Sequence, residues 1–283
     1  MTANLSAWFE PQFRELAVLA FHSVLFAVGP VHALDVKAFQ IAARTRRLTC
    51  LPAEDYNPTF VRPLYCMREL KNLLYEQVGR IGKALASPKR LELIELLCQG
   101  EKSVEMLSQQ ADISVKLTSA HLKELRTARL VETRKDGKYV LYRLADPGVA
   151  DLWVNLRYVA EERLVDLQMG LNSLITHGND LRGVDRSSIL KQAKNGEVVI
   201  IDVRPDDEFA AGHLPYARSL PLTELKKRLH ELPKSKPVVA YCRGPFCMMA
   251  KDAVVLLQKR GYKASKLDDG VAEWRARGLP IEQ

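Results

Sequence analysis

The sequence predicts an α+β unit followed by an α/β unit, and three features carry that reading. Helical apolar spacing runs from residue 67 into a β-hairpin signal at Asp136-Gly137; from residue 186 onward short apolar strands alternate with helices; and Gly178-Asn179-Asp180 with Gly183 breaks the pattern between the two. The 283 residues, 47% of them hydrophobic, fit about two ordinary cores rather than a disordered chain. The expected organisation is an unassigned extension over 1–66, a first domain over 67–176, a linker over 177–185 and a second domain over 186–283.

The extension holds one apolar run, Leu16 to Leu34, with Val31-His32-Ala33 placed like a cleavage site. Its flank, Glu10, Arg14 and Glu15, lacks the positive charge of a signal peptide, and Gly29-Pro30 interrupts the run, so no targeting or membrane insertion is expected. Met67 stands where the recognisable pattern begins and is a candidate start of the natural chain. The five cysteines, Cys50, Cys66, Cys98, Cys242 and Cys247, are scattered apart from the last two, which fits a reducing cytoplasm rather than a secreted disulfide framework.

From Met67 the positions Leu70, Leu73, Leu74, Val78, Ile81 and Leu85 recur at helical spacing. Ser87 then caps a new helix with Pro88 in its first turn, carrying Leu91, Ile94, Leu97 and Cys98. A third helix spans about Ser103 to Gln110 and a fourth about Ser114 to Ala128. The period then switches to strand, with Leu130 to Thr133 and Tyr139 to Arg143 flanking the turn Lys135-Asp136-Gly137-Lys138. Helices ending in such a hairpin make a winged helix-turn-helix. The net charge of +8 decides little by itself, but residues 114–143 hold eight basic and three acidic side chains. Lys116, Thr118, Ser119 and Lys123 are the groove-facing candidates on the fourth helix, and Arg134, Lys135 and Lys138 the wing contacts to a double-stranded DNA operator. His121 is read as packed at the helix junction. After Pro147 a single long helix, Val149 to Ile175, carries Leu152, Trp153, Leu156, Val159, Leu164, Leu167, Leu171 and Leu174.

This stretch, roughly residues 68–170, resembles the ArsR-type family of bacterial repressors through Ser119, His121-Leu122, Leu125, Ala128, Leu130-Val131 and the wing from Gly137 to Leu144. Arg129 stands where that family has a helix-ending glycine. The resemblance implies a homodimer built from the long helix and the one starting at Met67, and hence a pseudo-palindromic operator. It also implies where metals would bind, and those boxes are missing: the third helix reads Val104-Glu105-Met106-Leu107, and the long helix has no histidine. Cys98, on an apolar run, reads as buried filler. No metal and no cofactor is expected.

In the second domain, strands are expected at Val198 to Val203, Val238 to Tyr241 and Lys263 to Leu267, forming a parallel sheet with chemistry at the strands' carboxyl ends. Tyr241-Cys242-Arg243-Gly244-Pro245-Phe246-Cys247 follows one such strand and precedes a helical pattern from Met248 to Arg260. A cysteine there meets loop N–H groups and the positive end of a helix, both of which favour thiolate. Met248 occupies the position where a phosphate-handling loop would need arginine, so Gly244, Pro245 and Phe246 close a cradle suited to a smaller, softer group such as a persulfide sulfur. Cys242 and Cys247 also admit a structural reading, and Cys247 is either a resolving thiol or an apolar filler.

The domain resembles the rhodanese family over residues 183–283, through Asp202-Val203-Arg204, Glu208-Phe209, Gly212-His213-Leu214-Pro215 and Ala217, and through Asp269-Gly270-Val271-Ala272-Glu273-Trp274 with Gly278-Leu279-Pro280. Tyr216 stands where the family has glycine. The resemblance implies that Cys242 accepts a sulfane sulfur from a donor such as thiosulfate or polysulfide, with Arg243 holding the anion. The chain therefore reads as a dimeric, cytoplasmic repressor that senses or handles sulfane sulfur. Two alternatives stay open: a sulfurtransferase that controls its own expression, and an arsenite- or heavy-metal-responsive repressor.

Overall fold

The structure is a computed structural model that describes residues 61–173 and 186–283. The readings for residues 1–60, Cys50 included, and for the linker lie outside that range. Residues 67–283 form one compact unit.

The first helix, α1 (Val61–Leu85), runs through Met67 without interruption. It is followed by α2 (Pro88–Leu97), a two-residue strand β1 (Lys102–Ser103), α3 (Val104–Gln110) and α4 (Val115–Thr127). Side-chain caps start α3 and α4: Ser103 accepts the Met106 N–H at 3.3 Å, and Ser114 accepts that of Leu117 at 3.3 Å. Ser87 makes no such bond, and Pro88 alone sets the start of α2. The wing is β2 (Val131–Asp136) and β3 (Tyr139–Leu144), antiparallel, with β1 adding on the far side of β3. Asp136 pairs with Tyr139, so the turn is only Gly137-Lys138 and the strands reach further than the four-residue turn expected; Gly137 at φ 57° supplies the left-handed residue that so tight a turn demands.

Two family glycines are replaced here, yet the backbone keeps the glycine conformation. Arg129 ends α4 at φ 59°, with Leu130 N–H bonding Leu125 C=O and Arg129 N–H bonding Arg126 C=O, both at 3.0 Å, the pattern of a Schellman cap. Tyr216 sits at φ 64°. A left-handed residue other than glycine is strained, and both positions carry that strain.

The long helix expected over 149–175 is two helices, α5 (Pro147–Arg163) and α6 (Val165–Ser173), with Leu164 extended at φ −105°, ψ 107°. Gln168 stabilises the break by donating its side-chain amide to the Glu161 carbonyl at 2.8 Å. Trp153 is buried against Leu93, Leu97, Leu122 and Val149 in the first core, whereas Leu152, Leu156, Val159 and Leu164 of the expected stripe are exposed.

The second domain continues with α7 (Arg186–Lys194), β4 (Val199–Asp202), α8 (Asp206–Ala211), β5 (Arg218–Ser219), α9 (Leu222–Arg228), β6 (Val238–Tyr241), α10 (Met249–Lys259), β7 (Ala264–Lys266) and α11 (Val271–Ala276). The four strands are parallel in the order β5-β4-β6-β7. Because side chains alternate along a strand, Val199, Ile201, Val238 and Ala240 pack with α9 and α10 on one face, while Ile200, Val239 and Tyr241 pack with α7 and α11 on the other. Cys242 shares the parity of Val238 and Ala240, which places it on the α10 face.

Candidate functional site

Two assemblies carry the chemistry, the reading head and the sulfur loop. On α4, Lys116, Ser119 and Lys123 are exposed beside Val115 and Leu117. Thr118 is not among them: it is 0% exposed, and its hydroxyl donates to the Ser114 carbonyl at 3.0 Å. It lies in phase with Leu122 and Leu125, on the apolar stripe that faces the core, so the expectation of a groove contact there is corrected. Lys135 and Lys138 are exposed on the wing, Lys138 lying 5.2 Å over the Tyr139 ring. Arg134 is already engaged by Glu101 at 2.7 Å and Asp136 at 3.5 Å. His121 is half-buried near Arg90, and burial followed by that positive neighbour holds its pKa below the usual value.

The sulfur loop follows β6. Cys242 is 1% exposed; its thiol donates to the Cys247 carbonyl at 3.5 Å, and the Ala250 N–H at the start of α10 points at the sulfur. Cys247 is half-buried and sits against the Cys242 thiol. Their surroundings push the two sulfurs in opposite directions. Burial pushes the Cys242 thiol well above its ordinary value. Cys247 is drawn down to about 6, first by the hydrogen bond from Cys242, then by the N–H groups of Arg243 and Met249 and the Arg243 charge, which together outweigh its own desolvation.

Two glycines let the loop take this shape. Gly244 has φ 149°, and a Cβ there would lie 3.2 Å from the Glu273 carboxylate. A Cβ on Gly270 would come within 2.5 Å of the Arg243 carbonyl and 2.7 Å of that of Cys242, so the start of α11 packs on the loop with no room for a side chain. Beneath lies a buried brace: Arg204 grips Asp202, donates to the Gly212 carbonyl at 2.7 Å, and Tyr241 donates its hydroxyl to Asp202 at 2.5 Å.

No local feature of the chain signals that the reading head closes over this loop. From the turn after α2, the Gln99 side-chain oxygen accepts Arg204 at 2.8 Å. From β1, Lys102 reaches Glu208 at 2.8 Å, and the same carboxylate binds Arg243 at 2.6 Å. From α5, Arg157 pairs with Glu273 at 2.8 Å, while Glu273 also accepts the Gly270 N–H at 2.7 Å. Phe246 leaves the loop to meet Trp153 edge-on at 6.2 Å, and Ala272 enters the first domain's core. Arg157 was detectable in principle as a cation four residues after Trp153 on an apolar face. Lys102 and Gln99 gave no signal, because their partners lie over a hundred residues away. Burial raises the pKa of Glu95 on α2 from 4.5 to about 8, helped by Glu273 and Cys247. Burial also pushes the Cys98 thiol far up, in keeping with a packing role. Among the described residues no helix is long and apolar enough to cross a membrane.

Comparison with known proteins matches both assemblies. Residues 87–133 match the profile of the bacterial regulatory protein, arsR family, and residues 185–277 that of the rhodanese-like domain. The HTH-type transcriptional regulator Rv0324 of Mycobacterium tuberculosis is 40% identical over 213 residues, 75% of this chain and 93% of that protein. A sulfurtransferase of Allochromatium vinosum is 33% identical over 100 residues, 35% of this chain and 92% of its own. A probable mercury resistance operon repressor of Streptomyces lividans is 35% identical over 92 residues, 32% of this chain and 74% of its own.

Proposed function

This chain belongs to the ArsR family of HTH-type transcriptional regulators and carries a rhodanese-like domain, and we propose that sulfane sulfur taken up by its Cys242–Cys247 loop changes its hold on a double-stranded DNA operator. The observation that carries the reading is the position of the loop. It forms one wall of the junction with the reading head, through Arg243–Glu208–Lys102 and Phe246–Trp153.

In this reading Lys116, Ser119 and Lys123 enter the major groove, and Arg134, Lys135 and Lys138 hold phosphates from the wing. The exposed apolar side chains of α1 (Met67, Leu70, Leu74 and Val78) and of α5 and α6 (Val159, Val165 and Met169) support a homodimer, the protein acting as a cytoplasmic repressor.

The chemistry starts at the accessible sulfur. The Cys247 thiolate attacks the outer sulfur of thiosulfate or the terminal sulfur of a polysulfide. The donor's S–S bond breaks, and sulfite or the shortened polysulfide leaves with the electron pair, giving a Cys247 persulfide. Cys242 then attacks Cys247 Sγ and expels hydrosulfide, which carries off the Cys242 proton, leaving a Cys242–Cys247 disulfide. Arg243 holds the anionic donor and Gly244, Pro245 and Phe246 shape the cradle.

A mobility-shift titration of an operator fragment with and without polysulfide, for wild type, Cys242→Ser and Cys247→Ser, tests this. A sulfur-dependent change in wild type that both variants lack is expected. Unchanged wild-type affinity with the sulfur demonstrably bound would overturn it. The similarity to a sulfurtransferase favours a second reading as an enzyme, whose mark would be sustained turnover of thiosulfate and cyanide to thiocyanate and sulfite.

A further inference from the structure

We infer that the DNA-binding domain supplies a positioning residue to the sulfur site: Lys102, acting on Cys247 through Glu208 and Arg243. The inference rests on the loop being the sulfur acceptor, but its readout is thiol acidity rather than DNA binding, so the two ideas fail separately.

Lys102 is 0% exposed, a position that lysine occupies only when its charge is met. It is met across the domain boundary, by Glu208 Oε1 at 2.8 Å and by Asp207 at 3.8 Å. Glu208 is also fully buried, and it divides its oxygens: Oε1 takes Lys102 Nζ together with Arg243 Nη2 at 2.6 Å, and Oε2 takes Arg243 Nε at 2.9 Å. Burial opposes its ionisation, but Arg243 and Lys102 together hold it below the usual carboxylate range. The Glu208 carboxylate is thus shared by two cations, Lys102 and Arg243, beside the loop.

Arg243 is the cation whose charge, with its own N–H, steadies the Cys247 sulfur. The other titratable groups facing that sulfur are Cys242 from the loop and Glu95 from α2, with Glu273 of α11 and Arg157 of α5 standing against Glu95. Without Lys102, Glu208 would serve Arg243 alone, and the cluster would lose one positive charge. Both changes remove support from a Cys247 anion, thiolate or persulfide alike. Lys102 also belongs to the wing sheet, paired opposite Tyr142, with Ser103 opposite Leu141. Any shift of Arg243 toward a new anion on Cys247 changes the load on Lys102 and hence on the strand beside the wing.

The test is the pH dependence of iodoacetamide alkylation in the full chain. Trypsin cuts after Arg243, so Cys242 and Cys247 fall on separate peptides and each is followed by mass. For Lys102→Met the midpoint for Cys247 is expected to rise by about one pH unit, and for Lys102→Arg, which keeps the charge, to stay at the wild-type value. Glu208→Gln, which removes the opposing charge, is expected to lower it. Opposite signs from two neighbouring buried substitutions are not what general loosening produces. An unmoved midpoint in Lys102→Met, or the same rise in Lys102→Arg, would overturn the assignment.

Discussion

Lys116 and Lys123 project from α4 into solvent, while Lys102 and Arg157, in the same domain, are buried against carboxylates of the other domain. The exposed pair keeps its hydration, so it contributes little to folding and is available to a polyanion. The buried pair has given up its hydration, and each cation is held by two carboxylates, Lys102 by Glu208 and Asp207 and Arg157 by Glu273 and Glu161. Charge on the outer face of the reading head is therefore free to meet a polyanion, and charge on its inner face ties it to the sulfur loop.

The strongest way to break this contrast is to remove one cation of each kind. Arg157→Leu leaves the Glu273 carboxylate buried without its guanidinium and is expected to cost about 3–5 kcal/mol in denaturant unfolding. Lys123→Ala is expected to leave stability within about 0.5 kcal/mol while weakening operator binding and reducing its salt slope by about one. Similar stability losses in the two would abolish the distinction.

A smaller effect comes from Glu95, a carboxyl that the junction with the sulfur loop keeps protonated. Its folded-state value of about 8 lies above the ordinary 4.5, so the stability it contributes is complete below pH 4.5 and is lost as pH rises through 8. Melting temperatures of wild type should therefore fall relative to Glu95→Gln between pH 5 and pH 8.5, by the linkage of protonation to folding. Parallel curves would show that the carboxyl is solvated and that the junction there is open. The smallest effects should come from the two strained positions outside the junction. Arg129→Gly and Tyr216→Gly relieve left-handed backbone and are expected to raise stability by roughly 0.5–1 kcal/mol each in thermal unfolding.

The helices from Pro88 to Thr127, the wing and the strands around Val199 and Val238 were legible because each follows a local rule: a serine cap, an Asp-Gly turn, an apolar run of strand length. The expected helix over 149–175 failed at Leu164, where no proline or glycine announces the break and a side chain four residues on satisfies the carbonyl of Glu161. Thr118 misled because a polar residue on a basic helix was read by composition, when its phase with Leu122 and Leu125 already put it inside.

Local order alone determined the two families of elements, the place of the loop after β6 and the presence of two thiols in it, since periodicity, caps and strand parity act between near neighbours. Which residues of the reading head enclose the loop was decided only by folding. The sharing of Glu208 by Lys102 and Arg243 arises when segments more than a hundred residues apart are packed in contact, and no spacing in the chain encodes it.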